Sequence, residues 1–311
     1  MNPIREYLPI GGKREYLLHF PCENPDGPVV LYLHGGPGMA ASGYAHGFLG
    51  DLQKSCTLVF WDQPGAGKTL AENPDDFPTM ERLLRELFII VSCLKIKYGK
   101  QKIILLGHSF GSVLACLYAM GHPHDLLACI GAGQVTGIRE SEQAALQLLR
   151  EAITAAGSTK DLQKLEKLEP YPDREPEDTL KKLPKVRKLQ EKYGFGQDFA
   201  HALQVIQEGS DFHHSDMSML TRGLKKNSRL WEFLLNHNMN MEMRPYKMPV
   251  YFILGKNDHQ APPEPALQYL ERLRAPAKKS YVMEHSGHFM MLDAPEEFRR
   301  ILTEILSEIT Q

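Results

Sequence analysis

Residues 103–120 restrict this chain more than any other stretch. Ile103-Ile104-Leu105-Leu106 is a short apolar run of the kind found in a strand buried on both faces. Val113 to Met120 reads as a helix. Between them stands G-x-S-x-G, filled as Gly107-His108-Ser109-Phe110-Gly111. A strand that turns straight into a helix strains the backbone at the central residue, and glycines two positions either side let strand and helix approach closely. The expected result is a serine hydroxyl presented at the top of a sheet, a nucleophile elbow. The pattern alone is weak; the strand before it and the helix after it make it specific.

The flanking segments extend the same architecture. Residues 5–20 read as a hairpin turning at Gly11-Gly12. Val29–Leu33, Thr57–Trp61, Leu126–Gly131 and Val250–Leu254 read as buried strands, and Tyr281–Met283 as a last one. Helices are expected over 79–98, with Met80, Leu83, Leu84, Leu87, Val91 and Leu94 on one side, and over 295–308, with Pro295 in the first turn. Strands alternating with helices predict a mostly parallel sheet covered on both faces. From about residue 135 the pattern changes to dense Lys, Glu and Gln with leucines at helical spacing, so an inserted helical cap is expected. The predicted division is a core over 1–134, a cap over 135–245 and the second part of the core over 246–311.

Composition excludes several classes. The chain has 311 residues and a formal net charge of −2, which argues against a polyanion partner. Leu87–Leu94 is its longest apolar run, far short of a membrane span. The N-terminus has no apolar core typical of a secretory signal. Five scattered cysteines form no C-x-x-C; reduced, buried thiols are expected. A cytoplasmic protein with no nucleic-acid or membrane partner follows as the default expectation; the oligomeric state is not legible. Pairs at His122/His124 and His213/His214 have no accompanying carboxylate or cysteine at a metal-binding spacing. Gly65-Ala66-Gly67-Lys68-Thr69 resembles the end of a phosphate loop, but Asp62 stands where the first glycine is required and residues after Thr69 are not expected to continue as a helix.

A serine needs a base, and the base an orienting group. Asp258 follows the strand at 250–254, and His288 lies just after the last strand in Glu284-His285-Ser286-Gly287-His288-Phe289. Ser109, Asp258 and His288 are the expected nucleophile, orienter and base. His285 and Asp293 are the rivals, and Asp258 also suits a helix N-cap. An oxyanion needs two donors. Phe110, the residue after the nucleophile, supplies one backbone N–H, and Gly36 in His34-Gly35-Gly36-Pro37-Gly38 is the candidate for the other.

HGGPG at 34–38, DQPGAGKT at 62–69, GHSFGS at 107–112, GKND at 255–258 and SGH at 286–288 together resemble the prolyl iminopeptidase family. The resemblance implies an α/β-hydrolase fold with a helical cap, no cofactor, and removal of an N-terminal residue, often proline, from short peptides. It also implies the same triad. Three departures stand out. Typical members have GGSWGS at the elbow, where this chain has His108 and Phe110. Members recognise the substrate's amino group with carboxylates, one in a segment like Glu-Asn-His-Tyr-Phe; the nearest stretch here begins with Leu235. A related pattern has glutamate after the triad acid, where His259 stands. Glu208, Asp211 and Glu232 are the candidate replacements. A carboxylesterase or amidase is the alternative, since Met217, Met219, Met239, Met241 and Met243 suit an adaptable apolar pocket. A non-catalytic small-molecule binder is the third reading, disfavoured because a binder needs none of the triad.

Overall fold

The computed structural model describes residues 2–195, 197–208, 222–223, 226–241 and 244–310. Eight strands form one sheet in the order β1-β2-β4-β3-β5-β6-β7-β8. They are β1 (Ile4–Ile10), β2 (Lys13–Phe20), β3 (Val29–Leu33), β4 (Thr57–Asp62), β5 (Ile103–His108), β6 (Leu126–Ala132), β7 (Val250–Gly255) and β8 (Lys278–Met283). The β1–β2 hairpin and the β2–β4 pair are antiparallel, and every later pairing is parallel. This is the α/β-hydrolase architecture, with the hairpin as its antiparallel edge.

Strand chemistry explains the burial. In β3, Val29, Leu31 and Leu33 point to one core layer and Val30 and Tyr32 to the other, as the two-residue period of a strand dictates. Each aliphatic side chain so buried contributes about 1.5–3 kcal/mol by leaving water. On the first face lie α3 (Met80–Lys97) and α4 (Phe110–Gly121); on the second lie α1 (Ala45–Leu49) and the C-terminal helix α12 (Pro295–Thr310). α3 is capped by Thr79, whose hydroxyl accepts from the Arg82 N–H at 3.3 Å. Its buried face carries Glu86 as well as the expected leucines, an acid that apolar periodicity does not disclose.

The chain between β6 and β7 is helical: α5 (Ile138–Ala155), α6 (Thr159–Glu166), α7 (Pro176–Lys192), α8 (Gln197–Glu208) and α9 (Ser228–Asn236). Leu149, Ile153, Leu165, Val186 and Leu189 give this stretch a small core of its own. At its base, Gly137 and Asn238 form an antiparallel bridge, and the Met239 N–H donates to the Thr136 carbonyl at 2.7 Å. Helix α10 (Pro263–Arg272) follows β7, and α11 (Met290–Asp293) precedes α12. Among the described residues no helix is long and apolar enough to cross a membrane.

One expectation fails here. Residues 67–72 do form a helix, α2 (Gly67–Glu72). Its N-terminal end is nevertheless filled from within the protein: Asp62 accepts from the Lys68 N–H at 3.0 Å, and the Thr69 hydroxyl accepts from the Tyr16 N–H at 2.8 Å. A carboxylate already occupies the anion-favouring position, which disfavours a phosphate there.

Candidate active site

The parallel register sets the site. Leu33 pairs with Gly107, Gly107 with Gly131, and Gly131 with Phe252. The carboxyl ends of β3, β5, β6 and β7 therefore finish side by side, where open parallel sheets receive ligands.

Ser109 sits at the junction of β5 and α4 with φ 53° and ψ −120°, the only positive φ outside glycine among the described residues. Such a conformation is costly for a residue with a Cβ and needs surrounding structure to hold it. That hold is visible. The Ser109 N–H donates to the Ala132 carbonyl at 3.0 Å, and the Ser112 hydroxyl donates to the Ser109 carbonyl at 2.6 Å. Ser112 Oγ in turn accepts from the Val135 N–H at 3.1 Å, so the elbow is tied to the loop after β6. The two motif glycines are steric necessities: a Cβ on Gly107 would lie 2.2 Å from the Gly111 carbonyl oxygen, and one on Gly111 would lie 2.0 Å from that of Leu33.

Asp258 and His288 meet. His288 Nδ1 donates to Asp258 Oδ2 at 2.8 Å, with both side chains buried. Asp258 Oδ1 accepts from the Gln260 and Ala261 N–H groups at 2.9 and 2.7 Å. The cap-type role expected as an alternative for this residue is thus a turn, and it coexists with the bond to histidine. The helix that follows starts past Pro262 with no side-chain cap. The rival His285 is exposed. The rival Asp293 accepts from the Gly287 N–H at 3.0 Å and so braces the histidine loop from below.

The HGGPG loop lies against the serine, since a Cβ on Gly35 would stand 2.8 Å from Ser109 Cβ. Gly36 has φ 111°, a region that glycine enters freely. Among the described residues no backbone acceptor takes the Gly36 or the Phe110 N–H. His34 locks the loop to its neighbour: Nε2 accepts from the Gln63 N–H at 3.0 Å, and Gln63 Nε2 donates back to the His34 carbonyl at 3.1 Å. Burial pushes the His34 imidazole down to about 4, so it stays a neutral acceptor.

The candidate substrate carboxylates fare differently. Glu208 is exposed and accepts from Gln204 Nε2 at 2.8 Å; Glu232 is exposed on α9. Asp211, like His213, His214, Met217, Met219 and Met243, lies outside the described residues. Met239 is packed in the sheet core and Met241 is 84% exposed, so neither supplies the adaptable pocket expected of it. The carboxylate that sequence reading missed is Glu142 on α5. It is 2% exposed, accepts from the Tyr171 hydroxyl at 2.6 Å and pairs with Arg187. It lines a small cavity together with Ile138, Trp231 and Leu235. Arg187 lies within electrostatic reach of Asp258. Near the same acid, His259 stacks on Phe195 with ring centroids 3.8 Å apart.

Residues 28–295 match the model of the α/β-hydrolase fold family. The chain belongs to that family. It is similar to a probable aminopeptidase, YbaC, of Bacillus subtilis, with 27% identity over 96% of this chain and 95% of that one. It is also similar to a proline iminopeptidase of Heyndrickxia coagulans, with 24% identity over 92% and 93% of the two chains. Among solved structures, a proline iminopeptidase-related protein from Thermus thermophilus superposes with a TM-score of 0.69, at 25% identity and 99% coverage of both chains. An esterase from Exiguobacterium antarcticum superposes with a TM-score of 0.63 at 19% identity, covering 98% of this chain and 100% of that one; that likeness speaks for the fold alone. This family member is a hydrolase, and its full-length relatives include proteins of the type that its motifs resemble.

Proposed function

We propose that this hydrolase works through an acyl-enzyme on Ser109 and is an aminopeptidase that removes the N-terminal residue of short peptides. The observation that carries the catalytic half is the buried 2.8 Å bond from His288 to Asp258, at the same sheet edge as the strained Ser109. In this reading His288 takes the Ser109 proton as the hydroxyl attacks the carbonyl, and Asp258 holds the imidazole in the required tautomer. The Gly36 and Phe110 N–H groups receive the oxyanion. His288 then returns the proton to the leaving amine, and water releases the acyl group. The helical stretch between β6 and β7 acts as the cap over this crevice.

The aminopeptidase half draws support from full-length relatives that carry that name. A substrate ammonium taken out of water needs a counter-charge. Glu142 is the buried acid that shares a cavity with Leu235, the position where the resemblance leads one to look for a carboxylate. A carboxylesterase or amidase is the second reading, favoured by the apolar Leu235 and by the exposure of Glu208 and Glu232.

A paired turnover assay separates the two. A prolyl arylamide with a free amino terminus, its N-acetylated form and a short-chain aryl ester are each given to wild type and Ser109→Ala. Serine-dependent cleavage confined to the free amine supports the aminopeptidase. Ester cleavage with no preference for a free amine means an acyl hydrolase, and turnover that survives in Ser109→Ala overturns both.

A further inference from the structure

His108, the residue directly before the serine, is buried at 1% exposure. It contacts the base through the backbone of His288 and through its ring. Its Nε2 lies 2.8 Å from the His288 carbonyl oxygen, and its ring centroid lies 4.8 Å from that of His288 and 5.2 Å from that of Phe289. A carbonyl only accepts, so the proton of the neutral ring is on Nε2. Nδ1 has no hydrogen-bond partner among the described residues and faces Gly35, where an added Cβ would come within 3.3 Å.

We infer that His108 is a positioning residue for His288, fixing the base relative to the nucleophile; this rests on the acyl-enzyme reading above. The base belongs to a loop after β8 with little ladder bonding of its own. Beyond the Asn257 N–H on the Ser286 carbonyl at 3.0 Å, that loop is pinned at Gly287 by Asp293 and at the His288 carbonyl by His108. The second pin comes from the residue covalently joined to Ser109. Nucleophile and base are therefore registered through one peptide unit and one hydrogen bond. Proton transfer depends on such placement, and a displacement of about 1 Å costs on the order of 100-fold in rate. The pin also has to remain neutral, or it would repel the imidazolium that forms during turnover. Burial, reinforced by the neighbouring His288, pushes His108 down to about 3, so it stays neutral throughout the pH range in which the base works.

The test compares His108→Phe, which keeps a ring and loses the donor, with His108→Gln, whose amide replaces Nε2–H. Turnover of the prolyl arylamide and of the aryl ester is measured for each, beside Ser109→Ala. For the Phe variant we expect kcat to fall roughly 10- to 100-fold with KM within about twofold, and for Gln a recovery of most of that loss. Should the Phe variant not fold, His108→Asn, too short to reach the carbonyl, replaces it with the same expected loss. A wild-type kcat in a folded donor-less variant, a loss confined to KM, or a Gln variant no better than Phe overturns the inference. If Ser109→Ala is inactive while His108→Phe is fully active, only the role of His108 falls; if Ser109→Ala stays active, the acyl-enzyme reading itself falls.

Discussion

Asn227 donates through Nδ2 to the Gly65 carbonyl, 2.9 Å away, and so ties the helical stretch between β6 and β7 to a loop at the edge of the site. The same amide reaches the Gly223 carbonyl at 2.6 Å and packs on Gly38, where an added Cβ would come within 2.7 Å of it. Gly38 belongs to the HGGPG loop, so one side chain spans the helical stretch and both glycine loops. Replacing Asn227 with alanine leaves buried carbonyls without a donor, a cost of about 1–3 kcal/mol. We expect thermal unfolding to begin several degrees lower and kcat to drop; differential scanning calorimetry and steady-state kinetics on Asn227→Ala check both.

Gly35→Ala and Gly111→Ala should separate activity from folding. At Gly111 the added methyl meets the backbone of Leu33 at 2.0 Å, and backbone in a central strand cannot yield. At Gly35 it meets Ser109 Cβ at 2.8 Å and the His108 carbonyl at 3.2 Å, a milder overlap that the Gly35 loop can relieve by shifting. Gly111→Ala is expected to accumulate as insoluble protein. Gly35→Ala should fold and lose on the order of 100-fold in kcat through a displaced nucleophile. Soluble yield, circular dichroism and kcat distinguish the two; a fully active Gly35→Ala would contradict the contact.

Stability should decline as pH rises, because of one buried acid. Glu15 on β2 is fully buried, accepts from Trp61 Nε1 at 2.8 Å, and is pushed up to about 8 by burial and then by the Glu86 charge. The folded state thus holds a proton that the unfolded chain gives up near pH 4.5. The stabilisation is complete below that value, shrinks as pH rises, and is lost once pH passes about 8. Glu15→Gln keeps an acceptor for Trp61 without the ionisation. It should match wild type in melting temperature near pH 5 and exceed it near pH 8; equal melting curves at both pH values would refute the assignment.

Glu142→Gln removes the charge that pairs with Arg187 while preserving an acceptor for Tyr171. If Glu142 is the counter-charge for a substrate amine, KM for the free-amine arylamide rises about tenfold or more, while hydrolysis of the aryl ester is unaffected. An equal change for both substrates would make the pair a structural element of the helical stretch.

The sheet was legible because each buried strand is a short apolar run and each turn after it carries a recognisable motif. Ser109, Asp258 and His288 were singled out for a related reason, since each lies within five residues of a strand end. Glu142 was not, because α5 also carries a half-buried acid, Glu140, and an exposed one, Glu151, and nothing in its spacing marks it as the inward one. Glu15 and Glu86 were hidden in the same way, one in a hairpin strand and one on the apolar side of α3. The helix at 67–72 was missed because its start signal is supplied by Asp62, several residues upstream, rather than by a cap residue at its own N-terminus.

The Gly137–Asn238 bridge makes the helical stretch a cassette. Its two ends are clasped to each other before the chain returns to β7, so whatever lies between them can lengthen, shorten or be exchanged without dragging the strand ends out of line. Leu235 lies just inside that clasp. Under the proposed reading, selectivity and chemistry would then be separately heritable traits within one chain, joined chiefly through Asn227.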